Sequence, residues 1–154
     1  MADLRTVAPE AAALLAEQHL GALVTLKRDG RPQLSNIVYA YDPQAAVVRV
    51  SVTDDRAKTR NLRRDARASL YVTTDDRRSY LVAEGEAELA PVAADPADAT
   101  VEELIATYRA ISGEHPDWND YRRAMVAERR LVLRLRLTRV YGLAGGEGVS
   151  VDLG

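Results

Sequence analysis

The chain contains no cysteine and no phenylalanine, and it has only two histidines and two lysines. Without cysteine there is no disulfide, no thiol nucleophile and no cysteine metal site. His19 and His115 lie far apart and have no metal-ligating companions at useful spacing, so we expect no metal site. Long apolar runs are missing too, because residues 11–16 are too few for a signal-peptide core or a membrane span. We therefore expect a cytoplasmic protein without a membrane partner.

Excess charge of either sign is also missing, since 21 basic residues stand against 23 acidic ones and the formal net charge is -2. Proteins that bind duplex nucleic acid usually present a strongly basic face, so nucleic acid is not an expected partner. Hydrophobic residues make up 47% of the 154 residues, which is enough to bury a core and argues against disorder. We expect one domain over residues 1–154 that acts on a small molecule.

Strands are the most frequent predicted elements. Asp29-Gly30 separates the first two and is the sequence most typical of a tight hairpin. In the last one, leucines at 131, 133, 135 and 137 alternate with polar residues, as a half-buried strand requires. The predicted strands are residues 21–26, 33–42, 46–52, 68–74, 79–90 and 130–142.

Helices are predicted at few points of the chain. A short one covers residues 9–18, and a second covers residues 97–112 and ends at Gly113. A third covers residues 117–129, with Asp117 as its N-cap, and residues 143–154 are expected to form a flexible tail. Short turns between strands and few inserted helices favour a mainly β fold, a small antiparallel barrel.

Positive charge is concentrated in the segment "TDDRAKTRNLRRDARASLYV", where residues 56–67 contain six cations. On a helical wheel the arginines fall on one broad side and Leu62 and Ala66 on the other. Lys58 lies away from the arginine stripe, next to Leu62. Two interpretations stay open at this point: a solvated face of an amphipathic helix, or a site that holds an anion.

Arg56 and Lys58 favour the second interpretation because they fall in the first turn of this predicted helix. Cations are disfavoured there by the helix dipole, whereas a phosphate would satisfy them together with the unpaired backbone N–H groups. Thr59 and Ser51, the latter near the end of the preceding strand, offer hydroxyl groups. The segment therefore predicts a phosphate site without a glycine-rich loop.

Three separated segments carry a resemblance to a known family: "GALVTLKRDGRPQLSNIVYAYD", "SVTDDRAKTRNLRRDARASLYV" and "YRAISGEHPDWNDYRRAMVAERRLVLRL". They resemble the split-barrel flavin and deazaflavin proteins related to pyridoxamine 5'-phosphate oxidase. Their order and spacing are similar to the actinobacterial branch that binds the deazaflavin coenzyme F420. The likeness covers roughly residues 14–142, nearly the whole chain.

The resemblance implies a homodimer of six-stranded antiparallel split β-barrels, similar to FMN-binding proteins, with two cofactors at the subunit interface. It implies a phosphate end held by the junction between the third predicted strand and the basic helix, a ring alongside the second strand, and further contacts from the partner subunit. The implied residues are Ser51, Val52, Arg56, Ala57, Lys58 and Thr59 for the phosphate, Asn36, Ile37 and Val38 for the ring, and Ser79, Tyr80 and Trp118 from the partner.

The function that the resemblance implies is a coenzyme F420-dependent reductase, which transfers hydride to a small electron-poor acceptor. One alternative is an FMN-binding pyridoxamine 5'-phosphate oxidase-like protein. True oxidases of that kind end in a basic segment, whereas this chain ends "GLAGGEGVSVDLG" without a cation after Arg139. Another alternative is a non-catalytic cofactor carrier, because no general acid, base or nucleophile stands out. No residue is assigned a catalytic role from the sequence.

Overall fold

A computed structural model describes residues 2–154, and within them eight strands form one antiparallel sheet. The strands are β1 (Leu20–Leu26), β2 (Pro32–Val38), β3 (Ala40–Asp42), β4 (Val47–Thr53), β5 (Arg67–Thr73), β6 (Tyr80–Leu89), β7 (Arg130–Ala144) and β8 (Glu147–Asp152). The helices are α1 (Leu4–Val7), α2 (Pro9–Glu17), α3 (Ala57–Arg64), α4 (Ala99–Ser112) and α5 (Trp118–Ala127). None of the helices described is both long enough and apolar enough to span a bilayer.

The sheet curls because the strands at its two edges, β2 and β3, follow each other in the chain. Its order is β2-β1-β5-β6-β7-β4-β3, and β2 continues into β3 after a single residue, Tyr39. The chain therefore leaves one edge of the sheet and joins the opposite edge, which brings β2 close to β4 although the two strands do not pair. The predicted mainly β split barrel is confirmed, and the gap between β2 and β4 is its split.

The sheet has eight strands, whereas six were expected. The first additional strand, β3, arises from a break at Tyr39. Residues 33–42 were predicted as one strand, but the ladder is interrupted there. The Tyr39 side chain is fully buried, and its hydroxyl donates to the carbonyl of Leu15 at 2.8 Å. Its backbone N–H donates to the carbonyl of His19 at 2.9 Å. Contacts with α2 and the residues after it therefore interrupt the strand at Tyr39.

The C-terminal segment is the second difference, because residues 143–154 were expected to be a flexible tail. Gly145 and Gly146 have φ values of 61° and 81° and turn the chain back on itself. β8 then pairs with β7 from Ala144↔Glu147 to Arg139↔Asp152, and Leu153 is only 5% exposed. The expectation is corrected: this segment completes the sheet.

The core has two parts, one on each side of β7. The alternating leucines of β7 point into the barrel, as predicted, and Val132 points the other way, toward α4 and α5. Glu103 on α4 accepts hydrogen bonds from Arg134 and Arg49, at 2.7 and 3.0 Å. Chiefly because of the bonds from Arg134, the pKa of Glu103 lies below its ordinary value. These contacts hold α4 against the sheet beside the split.

Candidate active site

A cleft of about 420 Å³ lies at the split of the barrel. One wall comes from β2 and β4, the opposite wall from α4 and α5, and one end from the start of α3. Its volume falls within the range of roughly 300–1,000 Å³ that is usual for small-molecule sites. The mixture of apolar walls and a few polar groups at one end is also typical of such sites.

The start of α3 directs Lys58 toward this cleft. Arg56 is the N-cap, and no side chain caps the helix. The N–H groups of the first turn are therefore available to a ligand. The helix ends at Arg64, because Asp65 is extended, and Arg67 already belongs to β5. The prediction of a helix over residues 56–67 is thus correct for its first two turns and wrong for its end.

Lys58, Arg130 and Ser51 form the basic end of the cleft. The Arg130 guanidinium donates to the Ser51 hydroxyl at 3.3 Å. Burial, followed by the charges of Arg56 and Arg130, lowers the pKa of Lys58. Burial and mutual repulsion of this kind mark a place where an anion would be stabilised.

Arg130 was not among the residues predicted from the sequence. It is the first residue of β7, and the pairing of β4 with β7 brings it opposite Thr53. The separation of 79 residues between Ser51 and Arg130 leaves no local sequence signal for this contact. Only a correct pairing of these two strands would have found it.

Two of the predicted phosphate residues do not present their side chains to the cleft. Thr59 is fully buried, and its hydroxyl donates to the carbonyl of Thr53 at 2.8 Å. Val52 is only 2% exposed and packs in the core. The expectation for the Thr59 hydroxyl is therefore corrected: it anchors α3 to the end of β4 and contributes no donor to the cleft.

The strand wall agrees with the residues predicted to run alongside a ring. Asn36, Ile37 and Val38 all line the cleft, together with Val50 from β4. Because β2 is an edge strand, its alternate side chains reach the split from both faces of the sheet. Asn36 also lines a groove on the outer face, so the groove and the cleft adjoin at this residue.

The helix wall was not visible in the sequence. Leu104, Tyr108 and Ile111 from α4 face the cleft together with Tyr121 and Met125 from α5. The Tyr121 hydroxyl donates to the Leu104 carbonyl at 3.1 Å, and burial raises the pKa of Tyr121 to about 12. Tyr121 is therefore held as a wall residue and is unsuited to release a proton.

Trp118 stands behind the helix wall of its own chain. Its ring lies 5.6 Å from that of Tyr108 and 5.5 Å from that of Tyr121, both edge-on. Its indole N–H donates to Glu114 at 2.8 Å, and the Arg109 guanidinium lies 4.7 Å over its ring. His115 packs against the same rings and accepts a hydrogen bond from the N–H of Asp117, which is a structural role.

The remaining predicted residues lie outside the cleft of their own chain. Arg56 is exposed at its rim, and Ala57 lines a different cavity on another side of α3. Ser79 precedes β6, and the Tyr80 ring stacks on that of Tyr71 at 5.9 Å on the outer face of the sheet. The approach of Ser79, Tyr80 and Trp118 from a partner subunit remains a prediction.

Residues 7–144 match the family model described as pyridoxamine 5'-phosphate oxidase. The chain belongs to the pyridoxamine 5'-phosphate oxidase family. This is a family of oxidoreductases that bind flavins, and the cleft described above supplies what such a cofactor needs: a basic end, a strand edge and an apolar wall.

Solved structures of this family share the fold. A protein named F420 reductase is 25% identical, with a TM-score of 0.62 over 83% of this chain and 93% of its own. A conserved hypothetical protein from Mycobacterium tuberculosis is 22% identical, with a TM-score of 0.70 over 94% and 88%. A Clostridium acetobutylicum protein related to general stress protein 26 is 12% identical, with a TM-score of 0.68 over 99% and 97%.

Proposed function

We propose that this protein is a coenzyme F420-dependent oxidoreductase that reduces a small electron-poor acceptor. The observation that carries the proposal is the convergence of Lys58, Arg130 and Ser51 at one end of a cleft lined on one side by β2. The likeness to a protein named F420 reductase supports the choice of a deazaflavin. Bound in the cleft, a reduced deazaflavin supplies hydride from the C5 carbon of its ring.

The chain itself would bind, orient and shield. Lys58, Arg130 and the open first turn of α3 would hold a phosphate, because charged donors and a helix N-terminus both favour an anion. The backbone of β2 around Ile37 would align the ring, and the wall of α4 and α5 would exclude water. The Tyr121 hydroxyl would not supply the proton that completes the reduction, since it donates to the Leu104 carbonyl. That proton would be taken up from water after the product leaves the cleft.

Flavin mononucleotide is the second candidate cofactor, and family membership favours it. It carries a phosphate and a flat ring, which the same cleft would accept. Activity as a pyridoxamine phosphate oxidase is less well supported, because the C-terminal segment forms β8 and has no cation after Arg139. A cofactor carrier uses the same contacts and differs only in the absence of turnover.

We further propose that two copies associate through the outer face of the sheet. Leu20, Leu34, Val38, Tyr71, Tyr80 and Tyr141, here named the outer apolar face, are all exposed. The strand register places these side chains on one side of the sheet. Leu20 lies opposite Val38, and Ala22 lies opposite Asn36 on one neighbouring strand and opposite Tyr71 on the other. Contiguous exposed apolar surface of this kind marks an interaction site. The groove on this face adjoins the cleft at Asn36, which supports a partner that closes the site.

The test of the proposed function is a titration of the apoprotein with F420 and with FMN, followed by the fluorescence of Trp118, the one tryptophan, which packs behind the cleft. We expect F420 to bind more tightly than FMN. The Lys58→Met variant should bind F420 about 10- to 100-fold more weakly, because a hydrogen bond to a charged group is worth about 1.5–3 kcal/mol.

The matched control is Lys27→Met, which removes the other lysine of the chain from the exposed β1–β2 turn. It should leave F420 affinity unchanged. Equal affinity of the Lys58→Met and wild-type proteins would refute the phosphate assignment, and tighter binding of FMN would favour the second candidate. Loss of reduced F420 absorbance with a panel of acceptors then separates a reductase from a carrier.

A further inference from the structure

A second basic cavity lies between α3 and the β1–β2 hairpin. It has a volume of about 640 Å³ and is lined by Arg28, Ala57, Arg60, Asn61, Arg63 and Arg64. We call it the arginine cavity. None of its side chains lines the cleft, and the proposed function does not use them. All four arginines have exposed side chains, so the cavity is open to solvent.

Two of its four guanidinium groups are held in place. Arg63 donates to the backbone carbonyl of Asp54 at 3.1 Å and to the Asp54 carboxylate. Arg64 donates to the Leu26 carbonyl and to Asn61. Asn61 is 8% exposed and is itself fixed by a hydrogen bond to Thr25 at 3.1 Å. Because these groups are positioned beforehand, a ligand would lose little entropy in ordering them.

The charge of the cavity is poorly balanced. Asp54 is the one carboxylate bonded to its arginines in the described part of the chain, and Asp54 also pairs with Arg129. The side chains of Arg28 and Arg60 have no hydrogen-bonded or ion-paired partner among residues 2–154. Four like charges on one helix and one hairpin repel each other, and this occurs in a protein whose net charge is -2. A multiply charged anion would relieve that repulsion.

The arginine cavity and the cleft are separate sites on α3. At about 100° per residue, Lys58 lies about 160° around the helix from Arg60 and about 120° from Arg64. Ala57, Arg60, Asn61 and Arg64 share the face toward the hairpin, at the spacing i, i+3, i+4 and i+7. The buried Thr59 and Leu62 hold the opposite side of the helix against the barrel.

We propose that the arginine cavity binds a compact small-molecule polyanion, an oligophosphate or a tricarboxylate, independently of the cleft. The planar fork of a guanidinium matches phosphate and carboxylate groups with two parallel hydrogen bonds. Nucleic acid fits less well, because the net charge of the chain is -2 and proteins that bind duplex nucleic acid usually present a strongly basic face.

The test is calorimetric titration of the full chain, without deazaflavin or FMN, with inorganic tripolyphosphate and separately with citrate. The Arg28→Gln, Arg60→Gln double variant should bind the preferred anion about tenfold more weakly or worse, because both guanidiniums lack other partners. The matched control is Arg136→Gln, Arg139→Gln, which removes the same charge from exposed positions on β7. This control should bind like the wild type, and Lys58→Met should keep the binding that the double variant loses, since Lys58 lines the cleft and not the arginine cavity.

Three results would overturn the proposal: no binding of either anion, equal binding by the double variant and its control, or complete loss of binding in Lys58→Met. Tighter binding of a duplex DNA oligomer than of tripolyphosphate would also overturn it, in favour of a nucleic-acid surface. Failure of the proposed function leaves the comparison of the double variant with its control unaffected, since no cofactor is present. The side chains of Arg28 and Arg60 make no hydrogen bonds within residues 2–154, so folding of the double variant is expected.

Discussion

Lys58 is the residue on which the proposed site depends most. It is half-buried at the end of the cleft, and burial together with Arg56 and Arg130 lowers its pKa. As pH rises, a lysine in this position loses its proton at a lower pH than an exposed lysine does. A bound phosphate would reverse that effect, because an opposite charge favours the protonated form.

The affinity for F420 or FMN should therefore fall as pH rises through the lowered pKa of Lys58. This fall should begin at a lower pH than an ordinary lysine would give. In the Lys58→Arg variant the affinity should stay flat as pH rises, since arginine remains protonated. Dissociation constants measured across a pH series check this, and identical profiles for the two proteins would contradict it.

The same shift has the opposite sign for the stability of the apoprotein. Between the folded and unfolded pKa values of Lys58, the unfolded state binds more protons. The contribution of Lys58 to the free energy of unfolding therefore rises with pH while its contribution to anion binding falls. The site thus sacrifices some stability of the empty protein at neutral pH for ligand binding.

At the scale of the element, α3 is positioned by a buried polar network. Asn61 donates to the Thr25 hydroxyl at 3.1 Å, and Thr25 donates to Gln33 at 2.9 Å. Thr25 is 1% exposed, so neither bond is replaced easily by water. The network ties α3 to β1 and β2, and so it sets where Lys58 and the arginine cavity lie relative to the sheet.

Replacing Asn61 with leucine should lower the free energy of unfolding by about 1–3 kcal/mol, because Thr25 and Arg64 both lose a buried or half-buried partner. Asn119→Leu is the matched control, since Asn119 is exposed on α5. Urea unfolding followed by circular dichroism measures the difference. Equal midpoints for the two variants would show that the network does not hold α3.

At the scale of the whole molecule, the outer apolar face is the main unexplained surface. Leu20, the first residue of β1, and Leu34, on the edge strand β2, are 67% and 60% exposed. The face runs along β2, β1, β5, β6 and β7, so it covers most of one side of the barrel. A second copy of the chain is the occupant that we propose.

Leu34→Glu should convert a wild-type dimer into a folded monomer, since the side chain is exposed and a buried charge at an interface is costly. Val7→Glu is the control: Val7 is 54% exposed but lies on α1, away from that face. Sedimentation velocity distinguishes the two states. The proposal is wrong if the wild-type protein is monomeric at micromolar concentration.

Local patterns in the sequence determined much of this protein. Alternation predicted the strands, Asp29-Gly30 predicted the hairpin that joins β1 and β2, and the helical period separated Lys58 from the arginine stripe. The reason is that each of these features depends on residues only a few positions apart. Together with the family likeness, they were sufficient to predict the split barrel and five residues that line the cleft: Asn36, Ile37, Val38, Ser51 and Lys58.

Tertiary structure alone decided the rest, because the deciding contacts join distant parts of the chain. The Tyr39 break depends on Leu15, Arg130 reaches Ser51 through the pairing of β4 with β7, and β8 exists because β7 offers it an edge. The Thr59 hydroxyl was predicted to face a ligand, but it donates to the backbone carbonyl of Thr53. A residue type states which bonds a side chain can make, and the fold selects the partner that is within reach.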